Sequence, residues 1–201
     1  AGFTAAGMLS PLAELDHAGP AIAQLGWRSL ALWREVTDAL RRDGVCDPLF
    51  VQHGSLLLAH GSDLGAAQRV LTRLHSAGAR ATDLPAPEPL DRAALAALEP
   101  SLAGELRAWL LPGEAQLLPR ELLAALSTHA RGVWWCWGER VERVQAGAIH
   151  LAGEEPQRFD LAIDVCGVGM VPALAGNMPV RGVRGEVIWL HAPGVRLQRP
   201  V

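Results

Sequence analysis

The sequence predicts a mixed α/β (α+β) fold, and three observations carry that prediction. Segments with the spacing of amphipathic helices alternate with short segments rich in Val, Leu and Phe. Two of the β-rich segments adjoin at Ala146-Gly147, as in an antiparallel hairpin. Half of the 201 residues are apolar, which is ample for a core. Helix-linked strands together with hairpins predict two sheets built from discontinuous stretches of chain, rather than one parallel sheet.

Turn and cap residues place the predicted elements along the chain. Gly44 suits the left-handed cap after the first helix, Ser62 suits the N-cap of the second, and Pro119 suits the first turn of the fourth. In order, the predicted elements are a helix over 21–43, one strand or two with a bend at Gly54 over 49–59, a helix over 63–77 stopped by Gly78, a stiff proline-rich loop over 84–89, a short helix over 91–98, a strand over 106–111 ending at the Pro112-Gly113 turn, a helix over 119–130, and strands over 133–137, 140–144, 148–151, 159–165 and 185–192.

Composition excludes several classes of function. The formal net charge of -3 gives no excess of basic residues of the kind that binds nucleic acid. All 18 basic residues are Arg, so neither a Schiff-base lysine nor a Walker A lysine is available. No apolar run is long enough to span a bilayer, and no signal peptide is recognised. The three cysteines lie far apart and are predicted to be reduced, buried thiols of a cytoplasmic protein, without a disulfide framework or a zinc site.

Two segments of small residues are the candidates for contact with a flat or bulky ligand. Thr4-Ala5-Ala6-Gly7-Met8 crowds small residues together, so its backbone could approach a ligand closely; an Ala-rich helix start is the alternative. The apolar segment over 159–165 runs into Cys166-Gly167, and ligands of open α/β sheets bind at such strand ends. On these residues alone an ordinary turn is favoured, since Pro172 stands where a dinucleotide fingerprint needs its third glycine.

The remaining polar and aromatic groups show no recognised site. The seven histidines lack metal spacing, the serines lack a GxSxG context, and Glu154-Glu155 fits a solvated turn. No metal site and no catalytic residue is therefore predicted in this chain. Trp135 and Trp137 fall on one face of the strand predicted over 133–137, where core packing is favoured over an aromatic wall beside a ring-shaped ligand.

Taken together and in order, these segments resemble the FAD-dependent D-amino-acid oxidase superfamily, in its glycine-oxidase-like branch. The block from Thr4 to Leu9 resembles the segment that passes along the flavin. Leu111-Pro-Gly-Glu-Ala-Gln116 and the helix after Pro119 resemble the turn and helix that lead back into the cofactor domain. Gly138-Glu-Arg-Val141-Glu-Arg-Val144 resembles the strand whose backbone meets the adenine, and Asp160-Leu-Ala-Ile-Asp-Val-Cys-Gly167 resembles the strand that ends at the flavin. The segments 180–187 and 193–200 resemble the entry into the substrate-domain sheet.

The resemblance implies a partial FAD-binding domain over 1–45 and 113–179, interleaved with an antiparallel-sheet substrate domain over 46–112 and 180–201. It implies cofactor contacts from the backbone of Thr4, Ala5, Ala6, Gly7 and Met8, from the Val141 peptide, and from the Cys166-Gly167 turn. Met8 is also expected to border the substrate space. In this family a glycine-rich motif stands upstream and carboxylate-binding Tyr and Arg stand downstream, so the chain is expected to be a fragment lacking both ends that binds FAD poorly.

The implied activity is hydride transfer from a small amino acid or amine to flavin N5, giving the imine and, on reoxidation by oxygen, hydrogen peroxide. Two alternatives stay open. One is a non-catalytic remnant or interaction module of the same fold, and the other is an FAD-dependent dehydrogenase that passes electrons to a partner. No nucleic-acid or membrane partner is expected, the expected location is cytoplasmic, and homo-oligomerisation stays open.

Overall fold

The structure, a computed structural model, describes residues 4–46, 48–78, 84–102, 104–167, 182–183 and 185–201. The chain divides into two compact units, which we call unit 1 (Ala1–Ala130 and Val187–Val201) and unit 2 (Arg131–Glu186). Pro172 and the predicted domain boundary between 179 and 180 lie outside the described residues, and the predicted domain ranges stay a prediction.

The four helices of the described ranges lie within one residue of their predicted bounds. They are α1 (Pro20–Arg42), α2 (Leu64–Gly78), α3 (Arg92–Leu98) and α4 (Pro119–His129). Gly44 has φ +97°, and the Gly44 and Val45 N–H groups donate to carbonyl oxygens of the last turn of α1, as a left-handed C-terminal cap requires. The predicted Ser62 cap is wrong, because Ser62 lies inside a 3-10 turn over Gly61–Asp63 that leads into α2.

Within the described residues, the strands form three small antiparallel sheets, whereas the sequence predicts two. Their order is β1-β6-β2 and β3-β5-β4 in unit 1, and β7-β8-β9 in unit 2. Both sheets of unit 1 join stretches that are distant in sequence, as predicted. The strands are β1 (Met8–Leu9), β2 (Phe50–Val51), β3 (Ser55–Ala59), β4 (Glu88–Leu90), β5 (Arg107–Leu111), β6 (Ala115–Leu117), β7 (Val141–Gln145), β8 (Ala148–Leu151) and β9 (Gln157–Arg158).

Four predicted segments differ from the structure. The segments 133–137, 159–165 and 185–192 form no strand. At the start of the second segment, the Phe159 N–H donates to the Gly147 carbonyl oxygen at 3.0 Å, but the strand does not continue from there. Apolar composition favours an extended backbone, but a strand also needs a neighbour for its N–H and C=O groups. The proline-rich loop over 84–89 overlaps β4, in which Pro89 lies opposite Trp109. An edge strand tolerates proline because only one side of it is paired.

The exposed side chains of unit 2 correct two further predictions. Trp134 is 91% exposed and Trp137 is 76% exposed, so the tryptophans do not pack in a core. Trp135 and Trp137 do share one side of the chain, where their rings stack with centroids 5.3 Å apart. All three cysteines are free thiols as predicted, but they are exposed rather than buried.

The hydrophobic core of the described residues lies in unit 1. One cluster joins the residues after β1 to α1, α2 and β5, and a second joins α1 and α4 to the segments at β2 and β6. The buried members are Leu12, Leu15, Ala23, Leu74 and Leu111 in the first cluster, and Leu40, Leu49, Leu117 and Leu122 in the second. Leu9 of β1 packs against the second cluster, while Met8 of the same strand is 50% exposed.

Candidate functional site

The segment from Thr4 to Met8 leads into the edge strand β1 of the sheet β1-β6-β2. Gly7 has φ +82°, and a Cβ on Gly7 would lie 2.2 Å from the carbonyl oxygen of Leu117. The Leu117 N–H donates to the Gly7 carbonyl oxygen at 2.8 Å. The Gly7 backbone therefore lies close against β6 of the same chain, and its predicted approach to a flat ligand stays a prediction.

The residues beside Gly7 remain accessible. Thr4, Ala5 and Ala6 are exposed, and Met8 is 50% exposed. Because their side chains are small, the residues before Gly7 present mainly backbone to a ligand. Nothing in the fold of unit 1 covers this face of the segment among the residues described.

Met8 borders a cavity of about 460 Å³ that lies wholly within unit 1. Its apolar wall comes from β3, β5 and α2, and its opposite wall comes from the segment after β1. The lining includes Met8, Ser10, Ala13, Leu57, Leu74 and Leu111. A cavity of this size with mostly apolar walls and a few polar groups is typical of a site for a small molecule.

The rim of this cavity is polar. Asp16 lines it together with Glu14 and His17. The Arg73 side chain donates a hydrogen bond to Asp16, and this contact lowers the pKa of that carboxyl below its usual value. The Asp16 charge is thus already matched by a guanidinium of α2.

Glu114 is a buried acid that sequence reasoning did not single out. It follows the Pro112-Gly113 turn and is 0% exposed. Its carboxylate accepts hydrogen bonds from the N–H groups of Leu12 and Ala13, both at 2.9 Å, and from the Ser55 hydroxyl. Burial raises the pKa of Glu114 despite these hydrogen bonds, because the charged form loses hydration.

Ser10 completes the polar side of the cavity wall. Its hydroxyl lies near enough to Glu114 to favour the ionised carboxylate. The Ser10 Oγ atom is buried, yet it finds no partner of good hydrogen-bond geometry within the described part of the chain. A hydroxyl in this position is available to a further polar group.

The other predicted cofactor contacts lie in unit 2. Val141 opens β7 opposite Leu151, and its side chain is 41% exposed. The Cys166 N–H donates to Asp164 Oδ1 at 2.8 Å, and the same carboxylate raises the pKa of the exposed Cys166 thiol. Gly167 has φ +57°, and a Cβ there would meet no atom of the described residues within 4 Å. With respect to those residues, the backbone of this turn is open.

The structure thus brings Met8 together with the Glu114 network, whereas Val141, Cys166 and Gly167 belong to the other unit. That both groups contact one cofactor stays a prediction. Sequence reasoning missed Glu114 because its partners lie up to 102 residues away. Its position directly after a Pro-Gly turn was the one local signal.

Sequence reasoning also missed a buried ion pair. Arg199 Nε donates to Glu99 Oε1 at 2.9 Å, and both side chains are buried. Arg199 also donates to the His53 carbonyl oxygen at 3.0 Å. This pair fastens the segment around Arg199 to α3 and to the turn before β3.

The described ranges hold neither a cluster of metal ligands nor a membrane-spanning helix. No three His, Cys, Asp or Glu side chains of those ranges come together as a metal site. No helix among the same residues is both long and apolar enough to cross a bilayer.

Comparison with known proteins matches the whole chain. Residues 1–201 match the family DAO, described as FAD dependent oxidoreductase. A Rhizobium etli protein whose name, ThiO, designates a thiamine biosynthesis oxidoreductase is 34% identical over 199 residues. That match covers 98% of this chain and 51% of the relative, so the chain spans about half the length of the curated relative it matches.

Two solved structures share the fold. Glycine oxidase from Geobacillus kaustophilus superposes with a TM-score of 0.59 at 22% identity, over 78% of this chain and 42% of that one. Iminodiacetate oxidase from Chelativorans sp. BNC1 superposes with a TM-score of 0.55 at 22% identity, over 80% of this chain and 44% of that one. These two structures confirm the fold class that the sequence predicts. The family resemblance is confirmed by the match of residues 1–201 to the FAD dependent oxidoreductase family.

Proposed function

Because the chain belongs to the DAO family of FAD-dependent oxidoreductases, we propose that it is part of an enzyme that oxidises a small amino acid or amine to the imine and forms hydrogen peroxide. The observation that carries the proposal is the family match over all 201 residues. The names of the two structural neighbours support the substrate class. Glycine and iminodiacetate are both small amines with a carboxylate on the adjacent carbon.

Two observations indicate that the residues predicted to contact the cofactor could accommodate a flavin. Thr4, Ala5 and Ala6 are small and exposed, and no atom of the described residues lies within 4 Å of the Cβ position at Gly167. We assign contacts along the flavin to the backbone of the Thr4–Met8 segment and to the Cys166-Gly167 turn. The Val141 peptide is assigned to the adenine end.

When bound, FAD supplies the hydride acceptor, and the chain's own residues position the substrate. Met8, Leu57 and Leu111 give the open pocket beside β1 an apolar wall against which the carbon atoms of a small substrate can pack. No acid or base of this chain is given a proton-transfer role, since an amine that arrives neutral needs none.

The test of this function is expression of the full-length parent gene product. We expect a yellow protein with flavin absorbance and peroxide production from glycine, iminodiacetate or small D-amino acids. A folded protein without flavin bands, which regains none on adding FAD, contradicts the proposal and favours the remnant of the same fold. Flavin that substrate reduces under argon, but that oxygen does not reoxidise, favours the dehydrogenase.

The Gly167 turn offers a test of the site with a matched control. Gly153 also lies in unit 2, with φ +74° and nothing within 4 Å of its Cβ position, and the site does not include it. Leucine at either position bears a similar backbone strain. We expect Gly167→Leu to lose flavin and Gly153→Leu to keep it, so equal flavin contents would remove this turn from the site.

We also expect the 201-residue chain by itself to give no substrate-dependent peroxide. Its sequence holds no complete glycine-rich phosphate cradle and no Tyr. The measurement is peroxide formation by the purified chain with added FAD, beside the full-length protein as positive control. FAD-dependent turnover by the chain at a comparable rate would contradict this expectation.

A further inference from the structure

Glu114 is a buried acid that holds residues of the cavity lining, and the proposed mechanism gives it no role. We propose that Glu114 is a positioning residue: its carboxylate fixes the segment Ser10–Ala13, and through it the cavity wall next to Met8. The inference rests on the proposed function only in identifying this cavity as the substrate space.

The contacts of Glu114 join three parts of unit 1 at one point. Oε1 accepts from the Leu12 and Ala13 N–H groups at 2.9 Å each, and Oε2 accepts from the Ser55 hydroxyl at the start of β3. The Glu114 carbonyl oxygen accepts from the Gly54 N–H at 2.9 Å. One residue therefore ties the segment after β1 to the turn that begins β3.

The segment held in this way forms part of the cavity. Ser10 and Ala13 line it, and they follow directly on β1, which carries Met8. Leu12 and Ala13 begin a 3-10 turn over Ala13–Asp16, whose first N–H groups have no partner within the turn itself. Leu12, at the N-cap position, makes no side-chain cap, so no local residue replaces the Glu114 carboxylate.

A positioning role and a proton-transfer role make opposite predictions for the amide variant. In Glu114→Gln the amide oxygen can still accept both N–H groups, and the amide nitrogen can donate to Ser55 Oγ. This variant keeps the geometry and removes the ionisable group. Glu114→Ala instead leaves the Leu12 and Ala13 N–H groups buried without an acceptor.

The kinetic test uses the full-length holoenzyme and the exposed acid Glu121 on α4 as the matched control. We expect Glu114→Ala to raise KM for the amino acid by about tenfold, with a smaller change in kcat and with flavin retained, because a displaced wall weakens substrate placement. Glu114→Gln and Glu121→Gln should stay within about twofold of the parent. An unchanged KM in Glu114→Ala, or an equal loss in Glu114→Gln, would overturn the inference.

A second readout does not depend on activity. Amide hydrogen exchange at Leu12 and Ala13 should be about tenfold faster in Glu114→Ala, and unchanged in Glu114→Gln, as expected for a lost hydrogen bond. If the alanine variant does not fold, Ser55→Ala removes one contact and should raise KM by a smaller factor. Unchanged exchange overturns the positioning role, whereas a parent without flavin or peroxide overturns the proposed function alone.

Discussion

Replacing Gly7 tests whether this glycine is needed for the stability of the fold or for binding of the flavin. Gly7 adopts φ +82°, and its Cβ position lies 2.2 Å from the Leu117 carbonyl oxygen and 3.0 Å from the Pro119 ring. Any side chain there forces β1 away from β6 by about 1 Å, since a carbon and an oxygen rest near 3.3 Å apart. We therefore expect Gly7→Ala to lower the stability of the fold before it affects flavin affinity.

The size of the effect follows from two contributions. The left-handed backbone conformation costs a residue with a Cβ roughly 1–2 kcal/mol. Displacing β1 loses the hydrogen bond from the Leu117 N–H to the Gly7 oxygen and loosens packing, which adds roughly 1–3 kcal/mol. The expected loss in the free energy of unfolding is therefore about 2–5 kcal/mol for Gly7→Ala.

Two glycines of the same unit serve as controls. Gly44 also has a positive φ, but no atom of the described residues lies within 4 Å of its Cβ position. Gly44→Ala should therefore lower the free energy of unfolding only by the energy of the left-handed backbone conformation, about 1–2 kcal/mol. Gly61 has neither feature, so Gly61→Ala should be close to neutral. Urea unfolding of the parent protein, followed by tryptophan fluorescence, measures the free energy of unfolding. Repeating the unfolding with added FAD measures how much the flavin stabilises each variant. A Gly7→Ala cost equal to that of Gly44→Ala would refute the steric reasoning.

Three further outcomes are expected in unit 1. Asp16→Asn should lower the melting temperature at neutral pH, and this effect should disappear in acid. The reason is that Arg73 lowers the pKa of Asp16 in the folded protein. The Asp16 carboxylate therefore stabilises the fold above its unfolded pKa, and this stabilisation is lost as the pH falls through the folded pKa. Melting curves from pH 7 to pH 2 test this, and a pH-independent difference would contradict it. Leu122 is 3% exposed, so Leu122→Ala should lower the free energy of unfolding by about 2–5 kcal/mol. Leu118 is 40% exposed, so Leu118→Ala should lower it by under about 1 kcal/mol in the same denaturation assay. Similar losses for the two variants would place Leu122 outside the core. Asp91→Ala should cost about 1 kcal/mol, because the Asp91 carboxylate accepts from the Ala94 N–H at the start of α3, and Asp91→Asn should recover most of it.

The candidate site shows where local patterns suffice for prediction. The small-residue segment around Gly7 could be recognised from its letters, since a glycine among alanines indicates a close backbone approach. Which atom makes that approach depended on the partner strand, and Leu117 is 110 positions away by residue number. Glu114 gave no comparable signal, because a single acid after a turn is ordinarily solvated.

The sequence by itself determined the helices, the hairpin and the family. Helical periodicity, the Gly44 cap and the Pro119 start depend on residues within a few positions of one another, so α1 to α4 were placed to within one residue. Only the tertiary structure decided which extended segments became strands, and which buried acid holds the cavity wall. Pairing and burial depend on neighbours that are brought together from distant parts of the chain, and a strand or a buried carboxylate is stable only when those neighbours satisfy its hydrogen bonds.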